Sequence, residues 1–209
     1  MLTQEEWMGA LNARHGKERQ EKFGRAVVAV CGLGGLGSNV AIALARAGIG
    51  KLILIDFDRV DVTNLNRQQY KASQLGMNKT EALAQNLREI NPFIRLETHA
   101  VRISEENAQE LLQEADVVCE AFDVPEAKAM LVNFVLENMP EKYLVAGSGM
   151  AGFGSPNTIQ TRRITGRFYL CGDTVSDVND GIGLVCARVM VCAAHEAHTI
   201  LRLLANEIE

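Results

Sequence analysis

Short apolar runs alternate with longer stretches of helical spacing along most of the chain. Most of the runs are compact and nearly continuous, which is typical of strands buried on both faces in a parallel sheet. We predict strands at 26–31, 51–55, 94–101, 116–121 and 143–147, and an antiparallel pair at 158–163 and 167–171. Helices are predicted at 3–15, 38–47, 79–90, 104–115, 125–139 and 182–208, and the charged residues 17–25 are predicted to be a connection.

This alternation favours an α/β fold with a doubly wound, mostly parallel Rossmann-like sheet. We expect helices on both faces and an antiparallel C-terminal extension. No internal repeat, low-complexity tract or proline-rich linker is found, so 1–209 is predicted to be a single domain. Its parts are an N-terminal helical segment (1–25), the Rossmann-like core (26–147), and a glycine loop with the antiparallel strands and terminal helix (148–209). A ligand crevice is expected at the C-terminal ends of the strands.

The sequence GLGGLG follows the first predicted strand directly and fits the pattern G-x-G-x-x-G. Gly32, Gly34 and Gly37 form the pattern, and Gly35 lies within it. Glycines allow a tight turn, close approach of the backbone to a phosphate, and close packing of helix on strand. The helix that follows would direct its N–H groups and positive dipole end at an anion. Because a strand precedes and a helix follows, we predict a nucleotide site here rather than a glycine-packed corner.

Composition narrows the class of protein. An apolar share of 47% with 22% charged residues is that of a globular enzyme rather than a disordered chain. The net charge of −5 argues against non-specific nucleic-acid binding, and no apolar run approaches the roughly 18–20 residues of a membrane span. The start MLTQEEW is not a signal peptide, and the five cysteines form no C-x-x-C pair. We therefore expect a cytoplasmic protein without a zinc ribbon.

Two further features follow the second predicted strand. Asp56 ends the second strand, where a carboxylate accepts hydrogen bonds from ribose hydroxyls. The stretch TNLNRQ (63–68) and the later Lys79 add cations and amides. An NAD-dependent dehydrogenase does not need them, whereas nucleotidyl transfer develops negative charge that Arg, Lys and a divalent ion stabilise. Taken as an isolated pair, Arg67 and Lys79 would more simply be two solvated loop cations.

Five motifs in order decide between these interpretations: GLGGLG, LIDFD, NLNRQ, Gly76 followed by Lys79, and AFD at 121–123. With them the chain resembles the ThiF/MoeB/HesA family of the ubiquitin-activating-enzyme superfamily over residues 10–205. The compact length and the SGMAGFG and CGD stretches look most like the short ThiF-type proteins of thiamine biosynthesis. The resemblance implies an adenylyltransferase that activates the C-terminal Gly-Gly carboxylate of a small ubiquitin-like sulfur-carrier protein with ATP and releases pyrophosphate.

The resemblance also implies roles for individual residues. Gly35 would lie against the ATP phosphates, Asp56 would bind the ribose, and Asp123 would hold Mg²⁺. Arg14 matches an N-terminal arginine that reaches the phosphates of a partner subunit. The residues implied in binding the nucleotide are Gly32, Gly34, Gly35, Gly37, Asp56, Thr63, Asn64, Leu65, Asn66, Arg67, Lys79 and Asp123, of which Asn64, Arg67 and Lys79 would hold the triphosphate.

The chemistry agrees with the absence of a Ser/His/Asp constellation in the sequence. A C-terminal carboxylate has a pKa of about 3.3–3.7 and is already an anion at neutral pH, so no general base is required. The reaction needs neutralised charge and in-line placement.

Relatives with two C-x-x-C pairs bind zinc, but only Cys171 remains here, so no zinc is expected. For a covalent thiol step of the kind some relatives use, Cys171 and Cys186 are the candidates.

Three alternatives remain open. The substrate could be a tRNA base, as in the related threonylcarbamoyladenosine dehydratases, although the acidic net charge opposes this. An NAD-dependent oxidoreductase would share the glycine turn and leave NLNRQ unexplained. A non-catalytic scaffold, like the inactive partner of heterodimeric activating enzymes, conflicts with the retained Asp56, Arg67, Lys79 and Asp123.

We further predict a homodimer with Arg14 acting in trans. The apolar stripe of the 3–15 helix, with Trp7 and Leu11, has no obvious place on a sheet flanked by its own helices. The long terminal helix likewise has more apolar surface than one sheet edge should hide. Pairing across a two-fold axis would bury both surfaces. Alternatively, Arg14 is a cation that only favours the dipole of its own helix.

Overall fold

The computed structural model describes residues 2–179 and 181–208. In this part of the chain, seven strands form one sheet in the order β3-β2-β1-β4-β5-β7-β6. The strands are β1 Val27–Cys31, β2 Lys51–Ile55, β3 Arg95–His99, β4 Val117–Glu120, β5 Tyr143–Gly147, β6 Gln160–Arg163 and β7 Phe168–Gly172. The helices are α1 Gln4–His15, α2 Lys17–Arg25, α3 Gly35–Ala47, α4 Lys79–Ile90, α5 Glu105–Leu112, α6 Pro125–Asn138 and α7 Cys186–Ala205.

The sheet is doubly wound, and the predicted fold class is confirmed. All neighbouring strands are parallel except β6 and β7, which are antiparallel. The strand order reverses between β1 and β4, so the loops that follow these two strands diverge to opposite faces and leave a crevice between them. This topological switch point is where a doubly wound sheet binds its ligand.

Two apolar clusters cover the two faces of the sheet. On β1, Val28 and Val30 point to the cluster that contains α3, α4 and α7, whereas Ala29 and Cys31 point to the cluster that contains α5 and α6. All four side chains are fully buried. Because alternate residues of a strand face opposite sides, a strand covered on both faces must be apolar throughout, and this explains the continuous run at 26–31.

The charged residues 17–25 form helix α2 rather than the predicted connection. Eight of its nine positions are polar or glycine, so its buried face reduces to Gln20 and Phe23, three residues apart. The Gln20 amide donates to the carbonyl oxygen of Gly48 (3.3 Å), and Lys22 Nζ donates to that of Ala205 (2.8 Å). The helix is therefore held by contacts distant in sequence, which periodicity alone does not reveal.

Helix α1 begins with a capping box, in which Thr3 and Glu6 bond each other's backbone N–H groups. Leu11 of this helix is buried in its own chain and lies next to Gly48, at the C-terminal end of α3. One of the two apolar residues on which the dimer prediction rests is thus already covered. Helix α7 packs on both α3 and β5–β7, which also hides much of its apolar face.

The division into one domain with three parts stays a prediction. Within residues 2–179 and 181–208, no helix combines the length and the hydrophobicity needed to cross a membrane.

Candidate functional site

A cleft with a volume of about 760 Å³ lies at the carboxyl edge of the sheet. Its walls come from the segments that follow five parallel strands, as the topology predicts. These segments supply Gly32, Gly34–Leu36, Asp56–Asp58, 101–105, 121–124 and 147–151, and the remaining wall includes Asn64, Arg67, Gln68, Lys79, Lys128 and 176–178. We call the part next to β2 and β3 the β2 side, and the part formed by 147–151 and 176–178 the β5 side.

The glycine turn forms the floor of the cleft. Gly32 has a φ of +90°, which favours glycine, and a methyl group on Gly37 would lie 1.8 Å from the carbonyl oxygen of Gly32. Helix α3 begins inside this turn, with Gly34 as its N-cap and no side chain capping it. The first N–H groups of the helix therefore face the cleft and offer hydrogen bonds, and a positive dipole end, to an anion.

The segment after Asn64 is tied to the glycine turn by side chains of both. Ser38 and Asn39, in the first turns of α3, accept hydrogen bonds from the Gln69 backbone and side chain (3.1 and 2.6 Å). The Tyr70 hydroxyl donates to the carbonyl oxygen of Leu33 (2.7 Å). Asn39 also donates to the carbonyl oxygen of Arg67 (3.1 Å). These bonds explain why the amide-rich sequence lies beside the glycines and holds its arginine at the floor.

Arg67 is held against the turn with part of its guanidinium unsatisfied. Its Nη1 donates to the carbonyl oxygen of Thr63 (3.0 Å) and to the side-chain oxygen of Asn66 (2.8 Å). Its buried Nε has no hydrogen-bond partner among the residues that the structure describes, and the same is true of the side-chain oxygen of Gln68. Buried polar atoms without partners are rare and costly, so both atoms are candidates for contacts with a ligand.

Lys79 is nearly fully buried at the start of α4 and pairs with two carboxylates. Its Nζ lies 2.8 Å from Asp58 Oδ2 and 4.0 Å from Asp56 Oδ2. Burial raises the pKa of Asp56, while the charge of Lys79 and the N–H groups of Asp58 and Leu33 oppose that rise. The backbone N–H of Leu33 donates to Asp56 Oδ2 (2.7 Å), which joins Asp56 to the glycine turn. Because it pairs with Lys79 and lines the cleft, Asp58 also belongs to the site.

Asp123 extends from the loop after β4 into the cleft, and its side chain is exposed. In residues 2–179 and 181–208, no three His, Cys, Asp or Glu side chains are grouped as metal ligands would be. Mg²⁺ is commonly bound by only one or two carboxylates together with substrate phosphates and water. The lone Asp123 carboxylate therefore fits Mg²⁺ that arrives with a nucleotide, and does not fit a cation held by protein alone. The absence of zinc stays a prediction.

A second, deeper group of charges lies beneath the β5 side. Lys128 of α6 donates to both carboxylate oxygens of Glu120 (3.0 and 2.7 Å). Glu120 is fully buried; burial raises its pKa, and Lys128 opposes this shift. Glu196 of α7 is also fully buried, and neither of its oxygens has a hydrogen-bond partner among the described residues.

Several predicted residues do not line the cleft. Gly37 serves helix packing, Leu65 packs partly buried against the core, and Thr63 and Asn66 are exposed neighbours that bond to Asp61 and Arg67. Arg14 is an exposed residue in the last turn of α1. Since α1 packs at the far end of α3, and a 13-residue helix is about 20 Å long, Arg14 cannot reach the cleft of its own chain.

The thiol candidates are not supported. Cys171 lies within β7 rather than at a loop, is fully buried, and contacts the hydroxyl of Thr161. Burial raises the pKa of its thiol to about 12, and the reactive species in thiol chemistry is the thiolate. Cys186 is the first residue of α7, partly exposed, and bonded to the sulfur of Met190 (3.7 Å). Neither cysteine lines the cleft.

Some residues of the cleft were not predicted from the sequence. Phe57 and Arg102 stack at the β2 side, with the guanidinium carbon 4.2 Å from the ring centre. Lys128 and Gln68 also line the cleft without having been predicted to do so. Phe57 lies inside the LIDFD motif and Gln68 inside NLNRQ, so both could have been found by their position. Arg102 and Lys128 carry no such signal, since each sits in an ordinary charged stretch.

The sheet and the cleft at its switch point define a Rossmann-like α/β protein with a ligand site at the carboxyl edge. A profile of the ThiF family matches residues 9–207. The chain therefore belongs to the ThiF family. This confirms the resemblance at the family level.

Two relatives in sequence are adenylyltransferases by name. The chain is 34% identical over 203 residues to the adenylyltransferase and sulfurtransferase UBA4 of Lodderomyces elongisporus, covering 92% of this chain and 43% of the relative. It is 38% identical over 131 residues to the sulfur carrier protein adenylyltransferase of Thermus thermophilus, covering 62% of this chain and 43% of the relative. The chain thus spans less than half the length of these curated relatives.

Solved structures give a second comparison. The E. coli tRNA N6-threonylcarbamoyladenosine dehydratase in complex with ATP superposes with a TM-score of 0.88 at 25% identity, covering 99% of this chain and 98% of that chain. E. coli MccB in complex with ATP gives a TM-score of 0.70 at 25% identity, covering 92% of this chain and 59% of that chain.

Proposed function

We propose that this protein is an ATP-dependent adenylyltransferase that activates a carboxylate, the C-terminal Gly-Gly carboxylate of a small ubiquitin-like sulfur-carrier protein. One observation carries the proposal. The uncapped N-terminus of α3 and the partly unsatisfied guanidinium of Arg67 face the same cleft. A triphosphate satisfies both, because phosphate oxygens accept from backbone N–H groups and from arginine.

In this proposal the nucleoside lies at the β2 side. Asp56 accepts from the ribose, as the carboxylate after the second strand does in dinucleotide folds. Lys79, now paired with Asp58, turns to the phosphates. Together with Arg67 it offsets the negative charge that develops when the α-phosphate is attacked. Asn64, at the same wall, adds an amide donor.

Asp123 holds Mg²⁺ in this arrangement. The walls of the cleft carry more carboxylates than cations: Arg67, Lys79, Arg102 and Lys128 stand against Asp56, Asp58, Glu105, Asp123, Glu126 and Asp177. A triphosphate bound here needs a divalent counterion, and the metal supplies charge neutralisation at the phosphates. An Asp123→Asn variant that bound ATP with unchanged dependence on Mg²⁺ would contradict this role.

The carboxylate substrate enters from the β5 side. It is ionised at neutral pH, so no side chain needs to remove a proton. An oxygen of the carboxylate attacks the α-phosphorus, the bond to the β-phosphate oxygen breaks, and pyrophosphate leaves with that electron pair. The protein contributes placement and electrostatic stabilisation. The finer proposal is that the enzyme acts in thiamine biosynthesis, in the cytoplasm and as a homodimer.

One observation favours a second candidate. The chain covers 98% of the E. coli dehydratase chain but only 43% of each of the two adenylyltransferase relatives named above. The alternative substrate is then the carboxyl group of threonylcarbamoyladenosine in tRNA. Both candidates use the same nucleotide site and differ in the acceptor.

A pyrophosphate-release assay separates the candidates. The protein is incubated with ATP and Mg²⁺ and with either carrier proteins that end in Gly-Gly or tRNA that carries N6-threonylcarbamoyladenosine. The proposal expects release with a carrier protein and none with the same carrier lacking its last two glycines. Release with the modified tRNA alone would establish the alternative, and release with neither, in protein that binds no ATP, would refute both.

A further inference from the structure

Arg188 of α7 is a buried arginine whose guanidinium is bonded on all three nitrogens. Its Nε donates to the carbonyl oxygen of Ala151 (3.0 Å), and its Nη1 donates to those of Gly154 (3.2 Å) and Ser155 (2.7 Å). Its Nη2 donates to the Thr158 hydroxyl (3.1 Å) and pairs with Asp173 (2.5 Å). The side chain is only 7% exposed.

The loop partners of Arg188 lie in a first segment, 149–158, and Asp173 connects the arginine to a second segment, 173–178. Its other oxygen, Oδ1, accepts from the backbone N–H groups of Val175 and Ser176, each at 2.9 Å. Its own N–H donates to the carbonyl oxygen of Gly149 (2.9 Å), so it also holds the first segment directly. Burial alone would raise the pKa of Asp173, but the hydrogen bonds from Ser176, Val175 and Arg188 outweigh it and lower that pKa. The ion pair is therefore formed at neutral pH.

Both segments form walls of the cleft on its β5 side. Gly149 and Ala151 belong to the first segment, and Ser176 and Val178 to the second, and all four line the cleft. Strands β2 and β5 are three intervals apart in the sheet, which is about 14 Å at the usual strand spacing. The pair Arg188–Asp173 thus acts on one end of the cleft and leaves the other end untouched.

Stability alone is a poor explanation for such a pair. Burying a guanidinium and a carboxylate costs desolvation that their attraction barely offsets, and apolar replacements of similar volume are often neutral. A guanidinium has five N–H donors in a fixed planar arrangement, and here it fixes the relative position of two loops whose only regular element is a single 3₁₀ turn at Pro156–Thr158.

We infer that Arg188 and Asp173 are positioning residues that shape the β5 side of the cleft for the carboxylate-bearing substrate, an inference that rests on the proposed function. Neither residue touches the nucleotide side. The pair acts through the loops 149–158 and 173–178, whose backbone groups form the wall along which an extended chain terminus would lie.

The test uses Arg188→Met, Arg188→Lys and Asp173→Asn in the full chain. Arg202→Met is the matched control, because Arg202 lies on the same helix and bonds only to the Glu207 carbonyl oxygen in the described part of the chain. Calorimetry with ATP and Mg²⁺, without acceptor, should give affinities within about threefold of the wild type, since the β2 side is unchanged. Hydrogen exchange should rise at 149–158 and 173–178 and nowhere else.

Kinetics with a carrier protein ending in Gly-Gly then give the decisive measurement. In Arg188→Met the KM for the carrier should rise about tenfold or more while the KM for ATP stays unchanged, because misplaced loops weaken binding of one substrate only. Arg188→Lys should be intermediate, since an ammonium has three donors and no planar fork. If Arg188→Met does not fold, Arg188→Lys and Asp173→Asn carry the same test.

Two results would overturn the inference. One is an unchanged KM for the carrier in all three variants, and the other is an equal loss of ATP and carrier binding, which would indicate general destabilisation. Failure of the proposed function looks different. In that case the wild-type protein itself would bind no ATP or show no carrier-dependent pyrophosphate release, whatever the variants do.

Discussion

The buried carboxyl group of Glu196 should make the stability of this protein fall as the pH rises. The side chain is fully buried on α7, and Oε1 lies 2.5 Å from the position that a methyl group on Gly147 would take. Burial raises the pKa of Glu196 well above its usual value; Lys128 opposes the rise, and the charge of Glu120 adds to it. Replacing Glu196 by glutamine keeps the shape of the side chain and removes its titration.

The size of this effect on the free energy of unfolding follows from proton linkage. Because the folded pKa lies above the unfolded one, the folded state binds more protons between the two values, and its stability is present at low pH and lost as the pH rises. One such group changes the free energy of unfolding by about 1.4 kcal/mol per pH unit. The stability of Glu196→Gln minus that of the wild type should therefore increase with pH, by up to about 2.7 kcal/mol between pH 5 and pH 7.

Urea denaturation at pH 5, 6, 7 and 8 measures this difference, in which the pKa shift of Asp56 cancels because both proteins share it. Replacing the exposed Glu137 of α6 by glutamine controls for the loss of one negative charge. A difference in unfolding free energy between Glu196→Gln and wild type that stays constant from pH 5 to pH 8 would contradict this prediction, since it would mean that Glu196 titrates alike in the folded and unfolded states.

Other predictions concern the cleft and the dimer. Lys79→Ala and Arg67→Ala should each slow carrier-dependent pyrophosphate exchange by about 10²–10³ while changing the affinity for ATP less; near-normal exchange in either variant would remove that residue from the site. Gly37→Ala places a methyl group 1.8 Å from the carbonyl oxygen of Gly32 and should cost about 1–3 kcal/mol of unfolding free energy in urea; an unchanged midpoint would show that the turn can shift. If Arg14 acts in trans, mixing Arg14→Ala chains with Lys79→Ala chains should restore up to one active site per mixed dimer, and a mixture that stays inactive would exclude that role.

Much of the fold could be predicted because its strands are buried on both faces. A run such as 26–31 has few other interpretations once a glycine turn and a helix follow it. Helix 79–90 was predicted to the residue, since Asn91 and Pro92 stop it. Helix α2 was missed because its two buried residues, Gln20 and Phe23, are held by partners far along the chain.

The same contrast applies to the candidate site. Asp56 and Asp123 could be found because each follows a strand whose end the topology brings to one edge, whereas Arg67 and Lys79 were indicated by the NLNRQ and Gly76–Lys79 motifs of the family resemblance. Arg188 could not be found, because most of its partners are backbone carbonyl oxygens of loops whose conformation no local pattern specifies. Helical spacing indicates on which face of α7 Arg188 lies, but not which groups of other segments surround that face.

The dimer prediction illustrates a further limit. It depended on apolar residues of 3–15 that had no visible place in the fold, and Leu11 is in fact buried against Gly48. An apolar stripe indicates that something covers it, and in this case part of the cover is the chain itself. The remaining support is geometric: Arg14 lies too far from its own cleft to act there, so any role at a nucleotide requires a second copy.

Adenylation of the carrier's C-terminal carboxylate can be tested most directly by following one of its oxygen atoms. A carrier protein with ¹⁸O in its C-terminal carboxylate is incubated with the protein, ATP and Mg²⁺, and the activated acyl group is then captured by hydroxylamine. Attack of the carboxylate on the α-phosphorus predicts that AMP recovered by mass spectrometry contains one ¹⁸O atom and that pyrophosphate contains none. Label in inorganic phosphate with formation of ADP, or unlabelled AMP, would contradict adenylation of a carboxylate by this protein.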